Sequence, residues 1–523
     1  MSVELIRKPI TLDEMTKRES VQAIKERDMI VPDGKPDMQR ILQVDGKITI
    51  DQLDVSQDRI MYRGKIDVGV LYTTENNPNV VYTMKGNIPL EDFVILDGVD
   101  KDQRVDFEYN IEHMSYHILN ERKLNVKAIM QIDAAATRSK QTTVIAGIDT
   151  ESAVEVREDQ IEVITLGTER EDRLMVREDL TVMQSKPSIG EILRTSVQLQ
   201  EEQVKRTETE LLYNGIIEVN TLYKAVGGDD TVEMVNHRVP FEGRVEMPKD
   251  EGELFWDCTL NVLPSYIQVT PDYDGEDRVM EAEFIVVARY NKFNRVVQPT
   301  ISDLYCPGKR VTTKEKSLEY MNLHNRMHLS VPKKEAILIE DITPENNEIF
   351  SVTIKPTIEE RVILDDKLTI RGVLEIKTIY ISKEIGNIID TAVNIVPFSQ
   401  DMEVKGITSK AMVTPRVAAK DIKVYSQTRK EVVVEYLLDY IAEVYTKNTF
   451  NVLEEIDLED MTKEELDSYP SMTVYQVRKG DSLWDLAKRF NTSVRDIQEV
   501  NGIDMNDGLH QGQKLIILKK VKF

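Results

Sequence analysis

The chain has 523 residues, a formal charge of −25 and a pI near 4.9. That balance excludes a nucleic-acid binder, which needs clustered Lys and Arg to neutralise phosphates, and opposes adsorption to an anionic bilayer. The length calls for three or four domains, 41% hydrophobic and 30% charged residues suit a soluble packed protein, and no apolar run is long enough to span a membrane.

Residues 1–20 carry scattered charges and no apolar core segment, so no export signal is read there and a cytosolic location is expected. Residues 21–136 are read as the first of three repeated units. Its centre alternates as Tyr62, Gly64, Ile66, Val68, Val70, Tyr72, with Arg63, Lys65 and Asp67 between them. Such alternation predicts a strand with one buried face. A spacer is expected at 137–178, with strand-like pieces at Thr142 to Ile148 and Ile161 to Leu166. The second unit, 179–293, repeats the register as Tyr213, Gly215, Ile217, Val219, Thr221, Tyr223. A second spacer, 294–334, precedes a third unit at 335–450 with Ile370, Gly372, Leu374, Ile376, Thr378, Tyr380.

Landmarks outside the strand keep the same spacing. Pro36, Pro187 and Pro344 each precede a hydrophobic pair, Ile41-Leu42, Ile192-Leu193 or Ile349-Phe350, and Pro89, Pro240 and Pro397 follow the strand. This is an internal triplication. The recurrent glycine predicts a bend or a close backbone approach, because glycine otherwise weakens a strand interior. The run 437–445 fits helix or strand by periodicity alone. The expected fold is mainly β: three sandwich or open-barrel-like units followed by a small α+β module.

Cys258 and Cys306 are the only cysteines, expected as unpaired thiols. Residues 451–471 are read as a linker, extended or partly helical, because Glu454, Glu455, Asp457, Glu459, Asp460, Glu464, Glu465 and Asp467 face a single Lys463. From 472 to 520 the pattern becomes strand, helix, helix, strand. Tyr475 and Val477 mark the first strand, and Ser482 or Asp481 caps a helix with Leu483, Leu486, Ala487 and Phe490 on one face. Ser493 caps a second helix carrying Val494, Ile497 and Val500. Asn501-Gly502 ends it in the manner of a left-handed C-terminal residue.

The motifs Tyr475-x-Val477-x-x-Gly480-Asp481-Ser482-Leu483-Trp484-x-Leu486-Ala487, Val494-x-x-Ile497-x-x-Val500-Asn501-Gly502 and Gly512-Gln513-x-Leu515 closely resemble a LysM domain. LysM domains usually bind N-acetylglucosamine polymers in a shallow groove. The resemblance places that groove at Gly480, Asp481, Ser482, Leu483, Asn501, Gly502 and Ile503. Trp484 fits either a contact residue or a member of the small core. Lys488 and Arg489 fit either charged contacts or an ordinary solvated helix face.

With the triplicated units in front, the whole chain resembles the SPOCS-domain spore coat morphogenetic proteins of clostridia. Pro32-Asp33-Gly34-Lys35-Pro36-Asp37 followed by Ile41-Leu42 is the stretch most like the family, and the later units depart from it at Lys186-Pro187-Ser188 and Thr343-Pro344-Glu345. The resemblance implies a protein of the mother-cell cytosol. Its LysM module would bind the ATPase that polymerises on the forespore surface, helping the coat, including other coat proteins, to localise and encase the forespore. Glycan binding is the alternative, disfavoured without an export signal.

No catalytic constellation is found. Pro307-Gly308-Lys309-Arg310 lacks the remaining parts of a phosphate-binding loop, and neither a Gly-x-Ser-x-Gly elbow nor a His-Glu-x-x-His helix occurs. His113 and His117, on a strand, would stand about 13 Å apart, too far to share a metal at about 2 Å from each. His324 and His328 could meet only on a helix. The expectation is a non-enzymatic adaptor with no metal, cofactor or catalytic residue.

Overall fold

The computed structural model describes residues 4–75, 80–227, 231–247, 253–339, 347–364, 366–382, 388–428, 431–504 and 508–519. The first repeat comprises β1 (Glu4–Ile30), β2 (Arg40–Ser56), β3 (Arg59–Thr73), β4 (Tyr82–Ile95), β5 (Arg104–Asn120) and β6 (Lys123–Asp149). The second comprises β7 (Glu155–Thr181), β8 (Ile189–Arg206), β9 (Glu210–Ala225), β10 (Val232–Glu246), β11 (Glu253–Pro271) and β12 (Asp277–Tyr305). The third comprises β13 (Lys309–Leu338), β14 (Asn347–Leu364), β15 (Lys367–Ser382), β16 (Ile388–Glu403), β17 (Met412–Thr428) and β18 (Glu431–Asp460). Each repeat is a sandwich of two antiparallel three-stranded sheets, ordered β2-β3-β4 and β1-β6-β5 in the first and likewise in the others. None is a closed barrel.

The alternating register supplies one wall of each sandwich core. Tyr62, Ile66, Val68, Val70 and Tyr72 of β3 face Leu124, Val126, Ala128, Met130 and Ile132 of β6. The landmark residues each have a structural cause. Tyr72 and Tyr223 donate their hydroxyls to the carbonyls of Pro36 (3.1 Å) and Pro187 (2.9 Å), which ties the turn to the core strand. Burial pushes both phenols up to about 12, so they remain donors at any working pH. Pro344 lies outside the described residues. Pro89, Pro240 and Pro397 sit on β4, β10 and β16, edge strands of their sheets, where the missing N–H costs no ladder bond.

The glycine marks a close approach, as its recurrence predicts. A Cβ on Gly64 or Gly372 would overlap the carbonyl oxygen of Thr49 or Thr357 on the neighbouring strand, which bulges there. The hydrophobic pairs coincide with another bulge, at Leu42, Leu193 and Phe350. A bulge inserts one residue into the strand and breaks the alternation, so two consecutive apolar residues both pack inwards, Leu42, Leu193 and Phe350 buried and their neighbours Ile192 and Ile349 half-buried. Ile41 joins its sandwich core, while Leu42, Leu193 and Phe350 meet Leu71, Leu222 and Ile379 in a cluster shared by all three repeats.

A second shared core lies at the other end. β1, β6, β7, β12, β13 and β18 run 27–30 residues and extend past the sandwiches. They bulge in register at Thr16, Gly167 and His324, and again at Ala146, Ser302 and Glu454. Beyond the first bulges, equivalent residues meet: Ile10, Ile161 and Leu318; Leu12, Val163 and Tyr320; Ile145, Ile301 and Leu453. The repeats thus pack around a threefold-like seam. Ion pairs cross between them, including Arg194 with Asp45 (3.2 Å), Arg40 with Asp390 (2.7 Å) and Lys420 with Glu202 (3.2 Å).

Several sequence expectations change. Residues 1–20, 137–178 and 294–334, read as an N-terminal segment and spacers, are strand over nearly all their length. Their apolar residues face other repeats, and the in-register bulges interrupt the alternation, so only the strand-like pieces at 142–148 and 161–166 show in the sequence. The acidic run is strand as far as Asp460, because β13 sets cations opposite it: Lys314 with Glu454 (3.0 Å) and Glu455 (3.2 Å), Lys309 with Asp460 (3.2 Å). Only α1 (Lys463–Asp467), capped by Thr462 with Glu465, is helical there. Residues 437–445 are strand, with Leu438, Tyr440, Ala442 and Val444 buried. His324 and His328 also lie on a strand, β13, not on a helix. Among the described residues no helix is long and apolar enough to cross a membrane.

Candidate functional site

The C-terminal module folds as β19 (Met472–Gln476), α2 (Leu483–Arg489), α3 (Val494–Asn501) and β20 (Lys514–Leu518), with the two strands paired antiparallel. Gly480 turns the chain after β19 at a φ of 95°, a left-handed conformation that glycine adopts without strain. Ser482, not Asp481, caps α2, accepting from the Asp485 N–H at 3.1 Å. Asp481 closes the preceding turn, accepting from the Arg478 N–H (2.7 Å) and the Tyr475 hydroxyl (3.0 Å). Those donors hold its carboxyl below the usual range. Ser493 and Asp496 form a capping box for α3, and Gly502 ends it in the left-handed region at a φ of 63°.

Leu483 and Ile503, from the two turns assigned to the groove, pack on one small core with Leu486, Ala487, Ile497, Leu515 and Ile517. Gly480 and Gly502 are exposed. The Asn501 amide is used internally: it donates to the carbonyls of Ile497 (2.8 Å) and Ile516 (2.7 Å) and accepts from the Ile516 N–H (2.7 Å). Asn501 therefore joins the end of α3 to β20. Asn501→Ala should lower the stability of the module by roughly 1–3 kcal/mol, read as an earlier denaturation midpoint of the module. A change below about 0.5 kcal/mol would remove this role.

Trp484 and Lys488, both on α2, reach the body. The indole Nε1 donates to Asp303 Oδ2 at 2.8 Å and the Lys488 ammonium to Asp303 Oδ1 at 2.6 Å. Tyr305 meets the Trp484 ring edge-on at 4.9 Å and is buried within the module's own core cluster. Burial alone would raise the Asp303 carboxyl, but the bonds from Lys488 and Trp484 outweigh it and hold the group low. Asn491 accepts from the Gly308 N–H at 2.8 Å, and Arg310 pairs with Glu465. Trp484 is thus a junction residue, half-buried between module and body. The guanidinium of Arg489 lies 5.8 Å from the ring centre of Tyr475 and 5.4 Å from that of Phe490.

Sequence reasoning missed Asp303 and Tyr305 because they fell within a supposed spacer. The available signal was internal. Counted from the bulges, the first repeat has Gly147 and Asp149 at these places and the third has Glu455 and Asp457, so only the second carries an acid and an aromatic two residues apart.

A family model described as SipL, SPOCS domain matches residues 37–119, 188–270 and 325–426, just over half of the chain. The chain belongs to the SipL family of SPOCS-domain proteins. A LysM domain model matches residues 475–518, all of the βααβ module except the start of β19. No curated protein and no solved structure matches the chain significantly. The SPOCS matches start at or near the turn-and-bulge segment of the first two repeats and within β13 of the third, so they cover the sandwiches more than the seam. Among the described residues no group of three or more His, Cys, Asp and Glu is placed to hold a metal ion. Cys258 and Cys306 are not joined in a disulfide, and burial pushes the Cys258 thiol up to about 12, which keeps it protonated at neutral pH.

Proposed function

We propose that the chain is a non-enzymatic sporulation scaffold. Its LysM module binds a protein partner, the morphogenetic ATPase that polymerises at the base of the spore coat, and so helps the coat to localise to and encase the forespore from the mother-cell cytosol. The observation that carries this reading is the union of a SPOCS body and a LysM module in one chain, joined through Asp303, Tyr305 and Asn491. A polymeric partner suits a module on a large, internally repeated body, because many copies bound along a polymer gain avidity from weak single contacts. The charge of −25 suits a protein-directed role and opposes binding to nucleic acid or anionic lipid.

The competing reading is a glycan-binding protein that uses the turns around Gly480 and Gly502, both exposed. The two separate in one experiment. The full chain is titrated against the coat ATPase and, in parallel, against chitin oligomers and peptidoglycan fragments. The adaptor reading expects saturable binding to the ATPase and none to the glycans. Binding to glycan alone overturns it.

A further inference from the structure

We infer that the Trp484–Lys488 face of the LysM module is a receptor for an acidic side chain accompanied by an aromatic one, and that Asp303 and Tyr305 of the chain's own second repeat fill it until a partner displaces them. The inference rests on the reading that the module binds a protein.

The geometry defines what the face recognises. An indole N–H and an ammonium, one helical turn apart on α2, converge on the two oxygens of a single carboxylate at 2.8 and 2.6 Å. Tryptophan donates but does not accept, and lysine is cationic, so together they select an anion. The Tyr305 ring packs edge-on against the indole. Asp303 and Tyr305 are two apart on β12 and so project to the same side of the strand. The matching partner is a strand or extended segment carrying Asp or Glu two residues from an aromatic.

Internal comparison points to a dedicated device rather than a chance contact. The equivalent positions in the other two repeats hold Gly147 with Asp149 and Glu455 with Asp457, neither of which offers the aromatic. The carboxylate of Asp303 also lies at the rim: its side chain is 34% exposed and that of Lys488 46%. Water therefore reaches the carboxylate of the clamp, whose charge-assisted bonds can exchange for equivalent bonds to a competing carboxylate at small net cost, whereas Tyr305 is buried and its release is the step that keeps the face closed. A face closed for nine-tenths of the time weakens apparent affinity about tenfold, because only the open fraction binds.

The test uses the full chain. Trp256 and Trp484 are its only tryptophans, so Trp256→Phe leaves Trp484 as the sole reporter. In that background, Asp303→Ala should raise acrylamide quenching of Trp484 severalfold, and Asp303→Glu should restore part of the protection. Asp303→Ala should also bind the coat ATPase about tenfold more tightly than the parent. Lys488→Ala, altering the clamp from the module side, should raise quenching too, which guards against a local misfold in β12. Unchanged quenching in both variants overturns the inference. Increased quenching with equal or weaker ATPase binding also overturns it, and the adaptor reading survives because binding persists. If neither the parent nor Asp303→Ala binds the ATPase, the adaptor reading fails and the competition fails with it. The quenching data then still show whether the clamp opens.

Discussion

Arg326→Ala should destabilise the chain by about 3–5 kcal/mol at neutral pH, the cost of leaving a buried charge without its partner. Arg326 on β13 pairs with Asp257 on β11 of the second repeat, both side chains about nine-tenths buried, and with Glu443 on β18 at 3.3 Å. Burial already raises the Asp257 carboxyl above its ordinary value, and Arg326 is the main opposing influence. Without the guanidinium the carboxyl moves higher still. A carboxyl whose folded pKa lies above its unfolded one gains stability as pH falls through the folded value. The penalty should therefore shrink on acidification, as Asp257 takes up a proton. Denaturant melts of both proteins across pH 5–8 check this. A penalty that grows towards low pH would contradict the assignment.

Gly372→Ala should cost roughly 3 kcal/mol, at the upper end of overpacking penalties. A Cβ there would overlap the Thr357 carbonyl oxygen and lie 3.0 Å from Ile358 Cα and 2.9 Å from the Phe398 ring. The first two are backbone atoms of the bulged strand β14, so relief requires moving that strand. Gly215→Ala is the internal control. Its nearest atoms are the tip of the Phe241 ring at 2.9 and 3.0 Å, which can rotate, and the Gln200 carbonyl oxygen at 3.1 Å. The second substitution should cost less than half as much. Equal costs, read from thermal or denaturant midpoints, would show that backbone approach is not what reserves the position for glycine.

The sequence revealed the parts of the fold whose residues serve their own sheet. β3, β9 and β15 bury every second residue against one core, and the alternation reads directly from 62–72, 213–223 and 370–380. The seam was hidden because its residues answer to other repeats. Val144 and Ile145 are adjacent and both buried, one facing each of two inter-repeat clusters around the bulge at Ala146, so no period of two survives there. The acidic run misled for a related reason: its counter-charges, Lys309, Lys314 and Lys316, lie about 140 residues away in sequence and meet it only across the sheet. In the module, short-range signals sufficed. Ser482, Ser493 and Gly502 cap their helices through bonds spanning three or four residues. The role of Trp484 did not follow from the module alone, because its partner Asp303 belongs to another part of the chain.

That the three repeats are joined by shared cores at both ends is tested most directly by calorimetry of the intact chain. If Leu42, Leu193 and Phe350 at one end, and Ile145, Ile301 and Leu453 at the other, join the repeats, the three sandwiches should unfold in a single transition whose calorimetric and van't Hoff enthalpies agree. Three resolved transitions, one for each repeat, would contradict the shared seam and return the chain to independent units on a string.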